Sequence, residues 1–180
     1  MKVPHYIKKY ADFYLSKYSV TKKKFEDILK KKLSKDLFQK KIRKEEYDTY
    51  LETISNSIDY YDNLGLFNEE ILIKNKIDNY ILRGFSYRKI NYLLIQNRFT
   101  KELIEKEIKK IKDDRELNKT IIIKFIEKKM NTSKYKKLNI SKNECINKLI
   151  SELVQNGFDY DDSRSILNQY FYDKKLYRYN

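Results

Sequence analysis

The scarcity of glycine and proline is the feature that most limits what this chain can fold into. Only three glycines and one proline occur among its 180 residues. Turn-rich β architectures need these residues at their hairpins and corners, so the sequence predicts an all-α fold. Apolar residues make up 41% of the chain and charged residues 37%, a balance that favours amphipathic helices with narrow apolar stripes over a thick globular core.

Two segments of the chain resemble each other without gaps at an offset of 59 residues. The matched apolar pairs are Ile90 with Leu149, Leu94 with Leu153, Phe99 with Phe158 and Ile108 with Leu167, whereas a fifth pair, Leu93 with Glu152, differs in polarity. A residue suited to cap a helix follows the phenylalanine in each copy, Thr100 in one and Asp159 in the other. A fainter third copy aligns Phe25, Ile28 and Leu29 with Ile90, Leu93 and Leu94.

Each copy has the pattern of three short helices, so we expect three tandem three-helix repeats. The predicted boundaries are 1–63 for a basic first repeat, 64–112 for the second, 113–172 for the third and 173–180 for a C-terminal tail. A unit of about 50 residues buries too little surface to be stable alone. Neighbouring repeats are therefore expected to stack end to end into an elongated array, whose curvature the sequence leaves open.

Helix ends and inner faces can be predicted at several positions. Five residues are suited to cap a helix N-terminus: Thr21, Asn68, Ser86, Thr100 and Ser141, the last forming a capping box with Glu144. Gly84 is suited to end a helix in the left-handed conformation. Two apolar stripes are expected, one starting with Tyr10, Phe13 and Tyr14 and one formed by Tyr47, Leu51, Ile54, Ile58 and Tyr61. The polar segment 131–139 is predicted to be a loop.

The net charge of +14 suggests an acidic partner such as nucleic acid. Residues 1–46 hold 15 Lys/Arg and 6 Asp/Glu, so +9 of the charge lies there and +5 elsewhere. Four lysines form two pairs seven residues apart on one helix, opposite the apolar Phe25: Lys23, Lys24, Lys30 and Lys31. They are candidates for phosphate contacts. An ordinary solvated face in a lysine-rich chain is the alternative, and the sequence does not decide between them.

The predicted turn from Arg83 to Lys89 is the second candidate. Arg83, Arg88 and Lys89 cluster at a helix junction, where the N-terminal end of the following helix also favours anions. Tyr92 lies four residues after Arg88 and can stack on a base or on an aromatic side chain. Arg98, in the next turn, completes the set of candidate partner-binding residues. Structural ion pairs are the alternative for these arginines.

The sequence offers no convincing reactive centre. His5 is the only histidine, so no histidine-based catalytic or metal site is expected. Cys145 is the only cysteine, and without a second cysteine or a neighbouring base it is interpreted as an inert thiol. Three acidic doublets begin at Glu69, Asp113 and Asp161, and stabilisation of helix N-termini explains them more simply than a metal-dependent nuclease does. We expect no enzyme, no cofactor and no metal.

A single cysteine excludes an intramolecular disulfide and fits a reducing cytoplasm. The segment MKVPHYIKKY has no apolar stretch typical of a signal peptide, and no apolar run approaches the roughly 20 residues of a membrane span. The prediction is a soluble, cytoplasmic monomer without a membrane partner.

Three stretches of this sequence together resemble the central signature of the RecX regulators: Leu64-Gly-Leu-Phe-Asn-Glu-Glu70, Leu82-Arg-Gly-Phe-Ser-Tyr-Arg-Lys-Ile90 and Asn97-Arg-Phe-Thr-Lys-Glu-Leu-Ile104. Near the C-terminus, Asn156-Gly-Phe-x-Tyr-Asp161 resembles the last repeat of that family. The likeness covers about residues 5–171. The sequence departs from the family at several positions: Asn68-Glu69 replaces paired aspartates, Phe85-Ser86 replaces Gly-Pro, Asn97-Arg98 replaces Lys-Gly, and Ile71 and Tyr80 stand where many members carry arginine.

The resemblance implies a regulator of the RecA recombinase. Members of the family bind the RecA filament on single-stranded DNA and modulate, mostly by inhibition, its recombinase, ATPase and coprotease activities, and several also bind DNA directly. The sequence alone leaves open whether this chain inhibits or assists RecA. The alternative is a stand-alone DNA-binding protein with helix-turn-helix-like units, in which Ser86–Asn97 would be the recognition helix.

Overall fold

The computed structural model describes residues 3–136 and 141–173, and within them it contains helices and no strand. The prediction of an all-α fold is confirmed. The helices are α1 His5–Leu15, α2 Lys22–Phe38, α3 Lys44–Asn63, α4 Glu69–Leu82, α5 Tyr87–Gln96, α6 Lys101–Asp113, α7 Arg115–Met130, α8 Ser133–Lys136, α9 Lys142–Gln155 and α10 Tyr160–Asp173.

The chain divides into two compact units. The first comprises the chain up to Ile73 together with Gln96–Thr100, and the second comprises Lys74–Ile95 and the chain from Lys101 onward. Helix α4 begins in the first unit and ends in the second. These boundaries differ from the predicted repeat boundaries, because contact density and sequence similarity group the helices differently, and the division into three repeats stays a prediction.

Phe25, in α2, is the centre of the first unit's core. Its fully buried ring lies 5.9 Å from the ring of Tyr14, 6.1 Å from that of Tyr61 and 5.7 Å from that of Phe67, measured between centroids. Aromatic rings at these separations attract one another beyond the effect of area burial alone. The predicted stripe of α3 is confirmed, since its residues Ile54, Ile58 and Tyr61 are buried and Tyr47 and Leu51 pack at the margin of the core.

The predicted inner face of α1 is wrong at Phe13, whose side chain is 55% exposed. Ile7 and Ala11, which are four residues apart, are the buried residues of this helix instead. Phe13 follows Ala11 by two positions, which is about 200° around a helix, so it points away from the core. Its ring instead contacts the Nζ of Lys17, 4.2 Å from the ring centroid.

A buried carboxylate links α1 to α2. The side chain of Asp36 is 1% exposed, accepts a 2.6 Å hydrogen bond from the Oη of Tyr6 and pairs with Lys32 on the same helix. Burial by itself raises the pKa of Asp36, but the hydrogen bonds from Lys32 and Tyr6 outweigh burial and hold the pKa below its ordinary value. The same contact, together with burial, raises the pKa of Tyr6 to about 12. Asp36 is therefore charged in the folded protein and serves as a polar clamp between the two helices.

Helices α7, α9 and α10 form the main packing of the second unit. Residues matched by sequence at the offset of 59 are equally buried: Ile90, Leu94, Leu149 and Leu153 are all fully buried, and Phe99 and Phe158 have the same small exposure. Equal burial at matched positions agrees with the alignment of these two segments.

The segment predicted as a loop after α7 contains a further short helix. Helix α8 spans Ser133–Lys136, and its Tyr135 is buried. A single buried aromatic side chain holds this turn against the unit, which the polarity of its neighbours concealed. The remainder of the predicted loop, residues 137–139, and the predicted tail beyond Asp173 lie outside the described residues.

The predicted helix caps largely hold. Thr21, Asn68 and Ser86 each accept a hydrogen bond from the backbone N–H three residues later, and Ser141 forms the expected capping box with Glu144. Helix α6 begins directly after Thr100, and the carboxylate of Asp159 accepts from two backbone N–H groups at the start of α10. Gly84 has the positive φ expected after α4.

Two of these caps make a second, long-range hydrogen bond that the sequence did not predict. Within the first unit, the hydroxyl of Thr21 donates to the carbonyl of Asn97 at 2.8 Å. Within the second unit, the hydroxyl of Ser86 donates to the carbonyl of Asn156 at 2.7 Å. Asn97 and Asn156 correspond at the offset of 59. Each buried hydroxyl is thus satisfied as donor and acceptor, and each joins a helix start to the end of a helix more than 60 residues later.

Removing the carboxylate charge of Asp36 should destabilise the first unit. For Asp36→Asn we expect the free energy of unfolding to fall by about 2 kcal/mol near pH 7, because a charge-assisted hydrogen-bond network is lost in a buried site. Urea unfolding followed by circular dichroism measures this.

The pH dependence of that difference follows from the lowered pKa of Asp36. The wild type is stabilised above the ordinary aspartate pKa of about 4 and loses this stabilisation as the pH falls through the lower pKa of the folded state. The gap between wild type and Asp36→Asn should therefore shrink as the solution is acidified. The control Asp48→Asn, in an exposed pair with Lys44, should change stability by no more than about 0.5 kcal/mol. A gap that grows on acidification would contradict this account.

Ser86→Ala should destabilise the second unit more than Ser141→Ala does. Both substitutions remove an N-cap, an effect of about 1 kcal/mol. Only Ser86→Ala also leaves the buried contact to the Asn156 carbonyl unmade, which adds about 1 kcal/mol. Both residues belong to the same unit, so urea unfolding compares them within one transition. Equal losses for the two variants would show that the long-range hydrogen bond contributes nothing.

Candidate functional site

The turn between α4 and α5 carries the strongest candidate site. Gly84 takes a φ of 71° there, and Ser86 caps α5. Arg83 lies before the cap and Arg88 after it, and the structure places them in two different grooves of the second unit. The sequence predicted that these arginines cluster, and the structure shows that they line two adjacent sites.

The first of these sites, the Arg83 groove, has a volume of about 310 Å³. The guanidinium carbon of Arg83 lies 4.7 Å from the ring centroid of Phe85, a cation–π contact that holds the charged group over an aromatic surface. Lys128 and Lys129 add positive charge, and no carboxylate lines the groove among the described residues. Lys129 is already paired with Glu152 at 2.6 Å, so Arg83 and Lys128 are the groups suited to an incoming anion.

The second site, the Arg88 groove, lies between α5 and α6 and has a volume of about 470 Å³. The Nε of Arg88 donates to the Oη of Tyr87 at 3.2 Å, which sets the two side chains next to each other. Lys109 and Lys112 of α6 bring two more cations, and two carboxylates partly offset them, those of Glu105 and Asp113. This groove therefore combines positive charge with an aromatic ring.

Close packing against Gly157 fixes the position of Arg88. Gly157 has a φ of 88°, and a Cβ atom built there would lie 3.1 Å from the Oγ of Ser86 and 3.2 Å from the Cβ of Arg88. A side chain at this position would be strained and would press on both residues. The hydrogen bond from Ser86 to Asn156 brings this turn close, so the same contact that joins α5 to α9 also sets the stem of Arg88.

Lys89 and Tyr92 form a separate exposed pair on α5. The Nζ of Lys89 lies 5.1 Å from the ring centroid of Tyr92, and Tyr92 is 53% exposed. The sequence grouped Tyr92 with Arg88 because of their i, i+4 spacing. The structure instead pairs Arg88 with Tyr87 and Tyr92 with Lys89, because the stem of Arg88 lies against Gly157.

The lysine strip of α2 is partly committed to contacts within the first unit. Lys24 donates to the carbonyl of Gln96 at 3.0 Å, and Lys30 pairs with Glu26 at 2.5 Å. Lys23 and Lys31 are exposed. The predicted strip is therefore interrupted: only two of its four lysines have their charged ends directed to solvent rather than to a neighbouring acceptor.

Arg98, the remaining predicted contact residue, also has an intramolecular partner. Its Nε donates to Asp27 at 2.8 Å, and its backbone takes a positive φ of 62° after α5. This ion pair is exposed and worth at most about 1 kcal/mol. The structural interpretation considered for the arginines therefore describes Arg98 better than Arg83 or Arg88.

Sequence reasoning missed three cations that line the two grooves, Lys109, Lys112 and Lys128. Lys109 and Lys112 are three residues apart, so the sequence does place them on one face of α6. It does not show that this face borders α5. Lys128 comes from α7, and only the tertiary structure brings it beside the turn that holds Arg83.

The described residues contain no group of three or more His, Cys, Asp or Glu side chains arranged to hold a metal ion. His5 is exposed at the start of α1, and Cys145 is buried in α9 as a free thiol. The three acidic doublets lie at helix ends, and Asp114, in the second of them, caps α7 by accepting from the N–H of Leu117 at 2.9 Å. Capping and helix-dipole stabilisation account for these carboxylates.

Comparisons with protein-family models, with curated proteins and with solved structures returned no match to this chain. A search for bilayer-crossing segments found no helix in the described residues with the length and apolar character required.

Gly157→Ala should destabilise the protein more than Gly65→Ala, although both glycines have a positive φ. At Gly65 no atom lies within 4 Å of an added Cβ, so only backbone strain of about 1 kcal/mol is expected. At Gly157 the contacts with Ser86 and Arg88 must also give way, and we expect roughly 1 kcal/mol more. Thermal or urea unfolding measures both losses. Equal losses would mean that Gly157 does not position Arg88.

Proposed function

We propose that this protein is a non-catalytic regulator that binds the filament formed by a RecA-type recombinase on single-stranded DNA. The observation that carries the proposal is the placement of Arg83 and Arg88 in two adjacent grooves. Both arginines belong to the stretch Leu82–Ile90, in which the sequence most resembles the RecX regulators. The proposal thus combines that resemblance with a surface suited to anionic partners.

The chemistry of the two grooves favours a protein–DNA filament as partner. Guanidinium groups bind carboxylates and phosphates through paired hydrogen bonds, and both anions occur on such a filament. Arginine and tyrosine also dominate the binding energy of many protein interfaces, and Arg88 lies beside Tyr87. Binding that blocks filament growth would lower DNA-dependent ATP hydrolysis, so inhibition is the direction we propose.

A stand-alone DNA-binding protein is the second candidate. The exposed pair of Lys89 and Tyr92 on α5 favours it, because such a pair can contact a phosphate and a base. This candidate requires tight, salt-dependent binding to duplex DNA without recombinase, with a preference for particular base sequences.

The recombinase ATPase assay tests the proposed function. We expect the wild-type protein to slow DNA-dependent ATP hydrolysis by a RecA recombinase at substoichiometric amounts. Arg88→Ala should require roughly tenfold more protein for the same effect, the magnitude typical of a central interface arginine. The matched control is Arg115→Ala, at the exposed N-terminus of α7, which should behave like the wild type. Circular dichroism confirms that each variant is folded.

Two results would overturn the proposal. Hydrolysis that stays unchanged across a wide titration would remove the recombinase as partner. Equal inhibition by wild type and Arg88→Ala would remove the Arg88 groove as the contact.

A further inference from the structure

The Arg88 groove has a counterpart elsewhere in the second unit. A groove of about 350 Å³ lies between α9 and α10, and we call it the Arg164 groove. Five lining positions of the two grooves correspond at the offset of 59 found in the sequence. In α5 and α9, Tyr87, Arg88 and Asn91 correspond to Ile146, Asn147 and Ile150. In α6 and α10, Glu105 and Lys109 correspond to Arg164 and Asn168.

The Arg164 groove has its own binding chemistry. Arg164 is its single charged residue, and among the described residues Arg164 forms no ion pair. Three asparagine amides, those of Asn143, Asn147 and Asn168, supply hydrogen-bond donors and acceptors. Tyr160 stands at the edge with half of its surface exposed. The groove therefore offers a cation, amides and an aromatic ring to a ligand.

The two grooves have equal net charge although their residues differ. The Arg88 groove has three cations and two carboxylates, and the Arg164 groove has one cation and no carboxylate, so each carries a net charge of +1. Each also has one tyrosine, Tyr87 in the first and Tyr160 in the second. A site that recurs at a fixed repeat with the same charge and an aromatic group suits a ligand whose own unit recurs: an anion next to a planar ring.

We infer that the Arg88 and Arg164 grooves are two subsites for one strand of unpaired nucleic acid. Arg88, Lys109 and Lys112 contact phosphates in one groove and Arg164 contacts a phosphate in the other. Tyr87 and Tyr160 stack on bases, which is tolerant of sequence because every base has a π-face. The asparagine amides then hydrogen-bond to exposed base edges.

Single-stranded nucleic acid fits this arrangement better than a duplex or an acidic peptide does. In a duplex the faces of the bases are stacked inside, so the two tyrosines would have nothing to contact. An acidic peptide offers carboxylates but no regular planar group beside each of them. This inference concerns binding in the absence of recombinase, so it can fail while the proposed function holds, and the reverse is also possible.

The experiment measures binding of fluorescein-labelled oligothymidylates to the full-length protein by fluorescence anisotropy, without recombinase. A length series separates strands that reach one groove from strands that span both. Lys109→Gln alters the Arg88 groove and Arg164→Gln alters the Arg164 groove. The matched controls are Lys106→Gln, on another face of α6, and Arg115→Gln, which lines neither groove. Circular dichroism checks that all variants keep the wild-type fold.

On long strands we expect each groove variant to weaken binding roughly threefold to tenfold and the double variant to combine the two losses. The slope of log affinity against log salt should decrease by about 0.7 for each phosphate contact removed. On strands too short to span both grooves, each single variant should lose only about twofold, because the other groove still binds. The controls should match the wild type.

Three outcomes would overturn the inference. Arg164→Gln could bind long strands as Arg115→Gln does, which would remove the second subsite. The single variants could lose as much affinity on short strands as on long ones, which would show that one strand does not span both grooves. A polyglutamate peptide could displace the strand at equal charge concentration, which would show that anions alone are recognised and that the stacking role is absent.

Discussion

The hydrogen bond from the hydroxyl of Ser86 to the carbonyl of Asn156 is the contact on which the site of the second unit depends. A buried helix terminus must satisfy its polar groups internally, and here one hydroxyl satisfies the start of α5 and the end of α9 together. Such a bond tolerates little displacement, because both partners are buried from competing water. Thr21 and Asn97 repeat the arrangement in the first unit, so the device is a regular feature of this sequence rather than a local accident.

The position of Arg88 follows from that contact. Once Ser86 holds the turn after α9, only a residue without a side chain fits at Gly157, and the stem of Arg88 lies directly against it. The guanidinium group is then close to the hydroxyl of Tyr87 and lines the groove between α5 and α6. A long, flexible side chain thereby loses part of its conformational freedom before any partner arrives, which lowers the entropy lost on binding.

Charge in this protein has two distinct uses. Asp36 lies buried in the first unit, where its hydrogen bonds keep it ionised, and several lysines of the basic N-terminal region are held by neighbouring acceptors, as Lys24 and Lys30 are. The cations of the second unit instead line open grooves together with tyrosines. The proposed recombinase contact and the proposed strand-binding grooves both draw on this second use, although the greater net charge lies in the first 46 residues.

The sequence by itself determined the helical class, the caps at Thr21, Ser86 and Ser141, and the turn that carries Arg83 and Arg88, because these depend on residues only a few positions apart. It also showed the offset of 59 residues that relates two of the segments. Only the tertiary structure decided which helices border each other. It placed Lys109 beside Arg88, turned Phe13 outward and paired Tyr92 with Lys89, since each of these depends on packing between residues or helices that local sequence patterns do not specify.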